Sequence, residues 1–173
     1  HTLKRLEKGT TRYLCLDRLY LNKNSVTCNH SNFEIKGPKK ADFECDVDKN
    51  NKLEHINEFL LTKEETKDKF TAEFNFKGDT EIVLGYVNDA NFTLIKFNEY
   101  NIKVIRINEG NEELILNKVV KFNFNHFHSI RVINDSNLEV LIDNIPLFKI
   151  KRVNRGKLGY FYKETGLYYT SYT

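Results

Sequence analysis

The chain has 173 residues, enough for one sizeable hydrophobic core and too few for two ordinary domains. Hydrophobic residues make up 40% and charged residues 29%, a balance that excludes disorder, and no apolar run approaches the eighteen or so residues of a membrane-spanning helix. The 27 basic and 24 acidic residues are mixed along the sequence and leave a net charge of +3, so neither nucleic-acid binding nor direct membrane insertion is expected.

From the N-terminus, Arg12–Leu21 alternates Leu14 and Leu16 with Tyr13 and Cys15, the period of a half-buried strand. Short strands follow near Ser25–Cys28, Phe33–Lys36 and Phe43–Val47, separated by Asn-rich and Gly37-Pro38 turns. Between residues 51 and 69 the alternation breaks. Leu53, Ile56 and Leu60 recur at helical spacing before a charged tail, which predicts a short helix or a long loop over 52–66, inserted between initial strands in 1–50 and the main run in 70–173.

After this stretch strand follows strand: Phe70–Phe76, Glu81–Val87, Phe92–Phe97, Ile102–Asn108, Glu112–Leu116, Phe127–Ile133, Leu138–Asp143, Pro146–Ile150, Leu158–Tyr162 and Leu167–Tyr172. Strands at intervals of about ten residues, with two prolines in the whole chain, predict an all-β, two-sheet antiparallel sandwich forming a single domain over 1–173. The turns fall where hairpins need them, at Asn134–Asn137, at Asp143-Asn144 and at Asn154-Arg155-Gly156. The first strands are expected to complete this sandwich, since they have no core of their own.

The order of parts between His126 and Tyr162 resembles the C-terminal half of a laminin-G-like or concanavalin A-like jelly-roll domain. Phe127 stands for the aromatic that opens a strand, Asp143-Asn144 for the Asp-Gly-like hairpin turn, and Gly156 and Gly159 for the Gly-x-x-Gly segment before a late strand. Phe127 replaces the family's usual Trp, and Asn144 replaces the turn Gly while still tolerating the left-handed conformation. The resemblance implies a non-catalytic adhesion module that is secreted or displayed at a cell surface and binds a glycan or protein partner. Alternatives are a structural domain docked in a larger complex and a jelly-roll glycosidase.

Binding residues are then expected in rim loops, after Phe76, after Val87 at Asn88 and Asp89, and around Asn108–Asn111 at Asn111. The crowded C-terminal tyrosines add Tyr168 and Tyr169 as platforms for a sugar or protein. No other cofactor is implied, but the resemblance admits calcium at one rim, for which Asp79, Asp89 and Asp135 offer loop carboxylates. His126 and His128 form a His-x-His pair with no third ligand placed by spacing, which reads His128 as a core residue at one end of the sandwich.

Catalytic patterns find little support. A jelly-roll glycosidase places two carboxylates about 5 Å apart on one strand face, and the nearest approaches, Glu44-Cys-Asp46-Val-Asp48 and Glu139 with Asp143, read as surface acids. The basic cluster Lys149-Ile-Lys-Arg152 with Arg155 offers attraction for an anionic glycan or membrane surface, or simply a charged strand edge.

Three cysteines, Cys15, Cys28 and Cys45, lie in the first quarter at spacings that match no zinc or redox motif. A secreted chain would pair Cys28 with Cys45 and leave Cys15 over. Asn91-Phe-Thr93 and Asn134-Asp-Ser136 are glycosylation acceptors in the same setting. The 21 asparagines and the absence of Trp and Met resemble coding from an AT-rich genome such as an apicomplexan parasite's. The start at His1 suggests a processed protein or a fragment.

Overall fold

The computed structural model describes residues 18–22, 25–29, 41–46, 52–161 and 168–172. Among the described residues it contains fifteen strands and no helix. The chain divides into two compact units, residues 1–39 and 40–173. The first holds an antiparallel hairpin of β1 (Arg18–Asn22) and β2 (Ser25–Asn29), with Arg18 opposite Asn29 and Asn22 opposite Ser25.

The second unit is an antiparallel two-sheet jelly-roll sandwich. Its strands are β3 (Phe43–Asp46), β4 (Leu53–Ile56), β5 (Phe59–Thr62), β6 (Phe70–Phe76), β7 (Thr80–Asn88), β8 (Asn91–Phe97), β9 (Asn101–Asn108), β10 (Asn111–Val119), β11 (His128–Asn134), β12 (Asn137–Ile142), β13 (Ile145–Lys151), β14 (Lys157–Phe161) and β15 (Tyr168–Tyr172). One sheet has seven strands in the order β10-β9-β8-β7-β14-β5-β4, and the other has six in the order β13-β12-β11-β6-β15-β3.

Period-two alternation builds the core. Phe70, Ala72, Phe74 and Phe76 of β6, with Ile130 and Val132 of β11 and Leu138, Val140 and Ile142 of β12, line the six-stranded sheet's inner face. Ile82, Leu84, Ile95, Phe97, Ile102 and Val104 meet them from the seven-stranded sheet. Each Val, Leu, Ile or Phe side chain among them contributes about 1.5–3 kcal/mol when fully buried. On the seven-stranded sheet's other face a smaller cluster gathers Leu61, Val83, Tyr86, Leu94 and Ile107, with Phe59 packed edge-on to Phe92 at 5.3 Å.

The helical reading of 52–66 is overturned. Leu53–Ile56 and Phe59–Thr62 pair as a hairpin closed at Asn57-Glu58, where Asn57 adopts φ 52°. Leu53 and Leu60 enter the main core while Ile56 packs with the outer cluster, so the apparent helical stripe is two strands with a turn between them. This hairpin is no insertion, because β5 pairs β14 within the seven-stranded sheet. Phe127 also departs from expectation. It precedes β11 and is 67% exposed, while Phe124, at 2%, is the nearby aromatic that enters the core.

The other turns form as their residues dictate. Asp143 and Asn144 have φ of 50° and 66°, the two left-handed residues that a tight hairpin with right-twisted strands requires. Gly156 is needed for close approach, since a Cβ there would lie 2.5 Å from the carbonyl carbon of Gly85. The predicted strand at Phe33–Lys36 and the side chain of Cys15 lie outside the described residues.

Candidate functional site

The two ends of the sandwich are built differently. At one end β6 finishes at Phe76 and β11 begins at His128, which is opposite it in register. The His128 side chain is 13% exposed, and its Nδ1 lies 2.7 Å from Asp143 Oδ2 while Nε2 lies 3.1 Å from the Asn123 carbonyl. Its ring packs on Phe76, Phe122 and Phe124 at centroid separations of 5.5–6.1 Å. Burial pushes the Asp143 carboxyl up, but the Ser129 backbone N–H and the His128 ring outweigh it, and the net displacement is below the ordinary 3.8. The His-x-His pair thus contributes His128 as a core plug.

The opposite end is open. Along β8 the inward positions run Asn91, Thr93, Ile95, Phe97, and along β9 they run Asn108, Arg106, Val104, Ile102. In both strands the apolar pair fills the core and the polar pair continues past it. Across from them lie Lys151 at the end of β13 and residues 152–154. Between these segments is a cleft of about 330 Å³, lined by Asn91, Thr93, Arg106, Asn108, Glu113, Lys151, Arg152 and Asn154 over a floor that includes Leu84 and Val153.

The walls are fixed by buried bonds. Asn134 is 1% exposed; its Nδ2 donates to the carbonyls of Asp68 at 3.0 Å and Val153 at 3.2 Å, and its Oδ1 accepts from the Val153 N–H at 3.0 Å. This clamps the 152–154 segment to β11. Gly85, at φ 61°, lets the Asn154 carbonyl approach to where a Cβ would lie 2.6 Å away. On the other wall the Asn91 Nδ2 donates to Asn88 Oδ1 at 3.0 Å, its Oδ1 accepts from the Glu109 N–H at 3.2 Å, and the Gly110 N–H donates to the Ala90 carbonyl at 3.0 Å. The Arg106 guanidinium, half-buried, donates to the Lys151 carbonyl at 3.4 Å.

The structure brings the loops after Val87 and around Asn108–Asn111 together, but the side chains named from sequence serve the loops themselves. Asn88 Oδ1 accepts from the Ala90 N–H at 3.0 Å, and Asn111 Nδ2 donates to the Glu109 carbonyl at 3.5 Å. Asp89 accepts from the Tyr86 hydroxyl at 2.8 Å and from Asn57 Nδ2 at 2.7 Å. Burial, then the bond to Asp89 and its charge, raise the Tyr86 phenol to about 12. Tyr168 and Tyr169 lie in β15, between β3 and β6, opposite Asp46 and Cys45.

The calcium set is not assembled. Asp79 borders the aromatic-plugged end beside Asn98 and Tyr100. Asp135, toward the open end, is bonded to Lys69 at 2.6 Å, which holds its carboxyl below the ordinary value, and Asp89 is engaged as described. Among the described residues no three His, Cys, Asp or Glu side chains gather where a metal ion would be held. Asn134 is likewise no glycan acceptor in the folded chain, because both its amide donors and its carbonyl are used in the interior. Cys28 lies in β2 opposite Leu19 and Cys45 in β3 opposite Tyr169, in different units.

Asn108 bounds the rim loop expected at Asn108–Asn111 and Asn91 opens a sequon, whereas Thr93 and Arg106 carry no binding signal of their own in the sequence. The available signal was the change from apolar to polar residues at every second position of β8 and β9.

No protein-family model and no curated protein matches the chain. Among solved structures it is similar to the carbohydrate-binding module CBM66 from Bacillus subtilis, at 12% identity and a TM-score of 0.52 over 66% of this chain and 78% of that one. It is similar to a xylan β-1,4-xylosidase from Bacillus halodurans at 9% identity and a TM-score of 0.51, over 69% of this chain and 30% of that one. Sheep galectin-11 aligns with a TM-score of 0.47 at 5% identity, over 65% of this chain and 99% of that one. The first two establish a shared sandwich fold.

Proposed function

We propose that this chain is a non-catalytic binding module that takes a glycan in the cleft at the polar end of its sandwich. The observation that carries the reading is the change of character along β8 and β9, where inward positions that elsewhere hold Ile95, Phe97, Ile102 and Val104 hold Asn91, Thr93, Arg106 and Asn108 instead. A sandwich buries what faces inward, and polar groups facing inward are stabilising only when protein, water or a ligand satisfies them; Asn91 is satisfied by its own wall, which leaves Thr93, Arg106 and Asn108 to face the cleft. Amide, hydroxyl and guanidinium groups over an apolar floor match the alternating hydroxyls and C–H faces of a sugar. The fold shared with a solved carbohydrate-binding module is compatible with this use, and display at a cell surface is the setting it fits.

The non-catalytic part of the reading rests on the lining. Glu113 is its one carboxylate among the described residues, whereas hydrolysis of a glycosidic bond draws on two. Glu139 and Asp143 do not supply the pair, since Asp143 is committed to His128 and Ser129 at the other end.

The test is a screen of the purified chain on immobilised glycans, with and without a calcium chelator, beside the variant Asn108→Ala. Selective binding that survives chelation and falls in the variant supports the reading. A response to no glycan, or one indifferent to Asn108→Ala, overturns it.

A further inference from the structure

The cleft gathers cations that have no carboxylate of their own. Elsewhere on the sandwich several basic side chains are matched, Lys69 with Asp135, Lys96 with Glu81, Arg131 with Glu73, Arg155 with Glu65 and Lys157 with Glu54, and those without such a pair among the described residues, such as Lys103 and Lys149, do not line the cleft. Arg106, Lys151 and Arg152 have no carboxylate within 4.0 Å among the described residues. The basic cluster seen in the sequence therefore divides, with Arg155 neutralised by Glu65 while Lys151 and Arg152 line the cleft opposite Arg106. Against these three stands Glu113, exposed and opposite Arg106 in the β9–β10 register. Arg152 also feels Asp135, whose carboxylate is already bonded to Lys69.

We infer that the saccharide taken by this cleft is an acidic one, its carboxylate or sulfate seated among Arg106, Lys151 and Arg152. The inference rests on the reading of the cleft as a glycan site and adds its charge class. A half-buried guanidinium whose one bond among the described residues is to a carbonyl keeps most of its five donors unused there, and an anion in a partly desolvated cleft is the partner that satisfies them best. The wall is stiff at this point, because Asn134 holds both the N–H and the carbonyl of Val153 next to Arg152. The backbone that carries Arg152 thus needs little ordering when a ligand binds.

Calorimetric titration of the full chain decides it, using a sulfated heparin-derived tetrasaccharide, a carboxylated galacturonate tetramer and a neutral xylotetraose at low and high salt. The acidic sugars are expected to bind and the neutral one to bind at least tenfold more weakly, with the difference shrinking as salt screens the charges. Which acidic arm binds tighter identifies the anion. Arg106→Gln is expected to weaken acidic binding about tenfold, as loss of a charge-assisted bond does. The exposed pair Lys151→Gln with Arg152→Gln, which removes no core contact, is expected to do the same and carries the test if Arg106→Gln fails to fold. Lys103→Gln on the outer face is expected to change nothing. Equal binding of neutral and acidic sugars, or acidic binding indifferent to the double substitution, overturns the charge class and leaves the glycan reading standing. No binding by any of the three overturns both.

Discussion

The two ends of one sandwich show how a single alternating pattern serves opposite purposes. At the His128 end the inward positions stay apolar apart from the buried Thr80, and Phe76, Phe97 and Phe124 close over them with a histidine locked between Asp143 and Asn123. At the Arg106 end the same strands keep the period and change the residue type, so amides, a hydroxyl and a guanidinium line a cleft there. Backbone geometry is shared. The difference is in what the inward side chains demand: aromatic rings are satisfied by one another, whereas Asn91 is spent on the cleft wall and Thr93, Arg106 and Asn108 line the cleft itself.

The largest expected effect comes from breaking the plugged end. Phe76→Ala removes a ring that meets Phe97, Phe124 and His128, and equilibrium denaturation should show a loss of about 3–5 kcal/mol. Saccharide binding at the other end should persist wherever the variant is folded. Next is Asn134→Ala, which strands the Val153 N–H and two carbonyls in the interior and is expected to cost about 2–3 kcal/mol. Unlike the first change it should also weaken binding, because it releases the segment carrying Arg152. If the two variants affect binding alike, the ends are not independent as described.

A smaller and more diagnostic change makes the open end resemble the closed one. Thr93 is buried beside Leu84 in the cleft wall, and Thr93→Val keeps its shape while removing the hydroxyl. Stability should stay within about 1 kcal/mol of the parent while affinity falls, the signature of a polar group kept for a ligand rather than for the fold. Weakened folding with unaltered binding would assign Thr93 to structure.

These contrasts also explain what could be read from the sequence. From Phe70 onward most strand boundaries follow the alternation to within a residue or two, because each strand has one buried and one wetter face, as Ile130 and Val132 or Leu138, Val140 and Ile142 show. Leu53, Ile56 and Leu60 misled, because a two-residue turn at Asn57-Glu58 places apolar residues of two short strands at helical intervals. The cleft was harder still. In IKVIRIN of β9, Ile102 and Val104 share a face with Arg106 while Ile105 and Ile107 occupy the other, so sequence alone cannot tell an inward arginine from an outward one. The rim loops were located because Asn and Gly mark turns, but their named side chains, Asn88, Asp89 and Asn111, turned out to bond within their own loops or to Tyr86 and Asn57.

The smallest effects distinguish the ends by pH. Asp143, at the plugged end, has a folded value below its ordinary 3.8, so its contribution is present above that value and is lost as pH falls through the lower folded one. Melting temperatures should therefore drop below pH 4 in the parent and drop less steeply in Asp143→Asn. Tyr86, bonded to Asp89 toward the open end, is raised from 10.0 to about 12. Its contribution is intact below pH 10 and disappears as pH rises through about 12, when the phenolate forms beside a carboxylate. Ultraviolet titration should show one tyrosine ionising near pH 12 that is missing in Tyr86→Phe, and Asp89→Asn should bring that step down toward 10. A Tyr86 step already complete by pH 10.5 in the parent would mean that the Tyr86–Asp89 bond does not hold the loop after Val87, and with it the wall that Asn88 and Asn91 form.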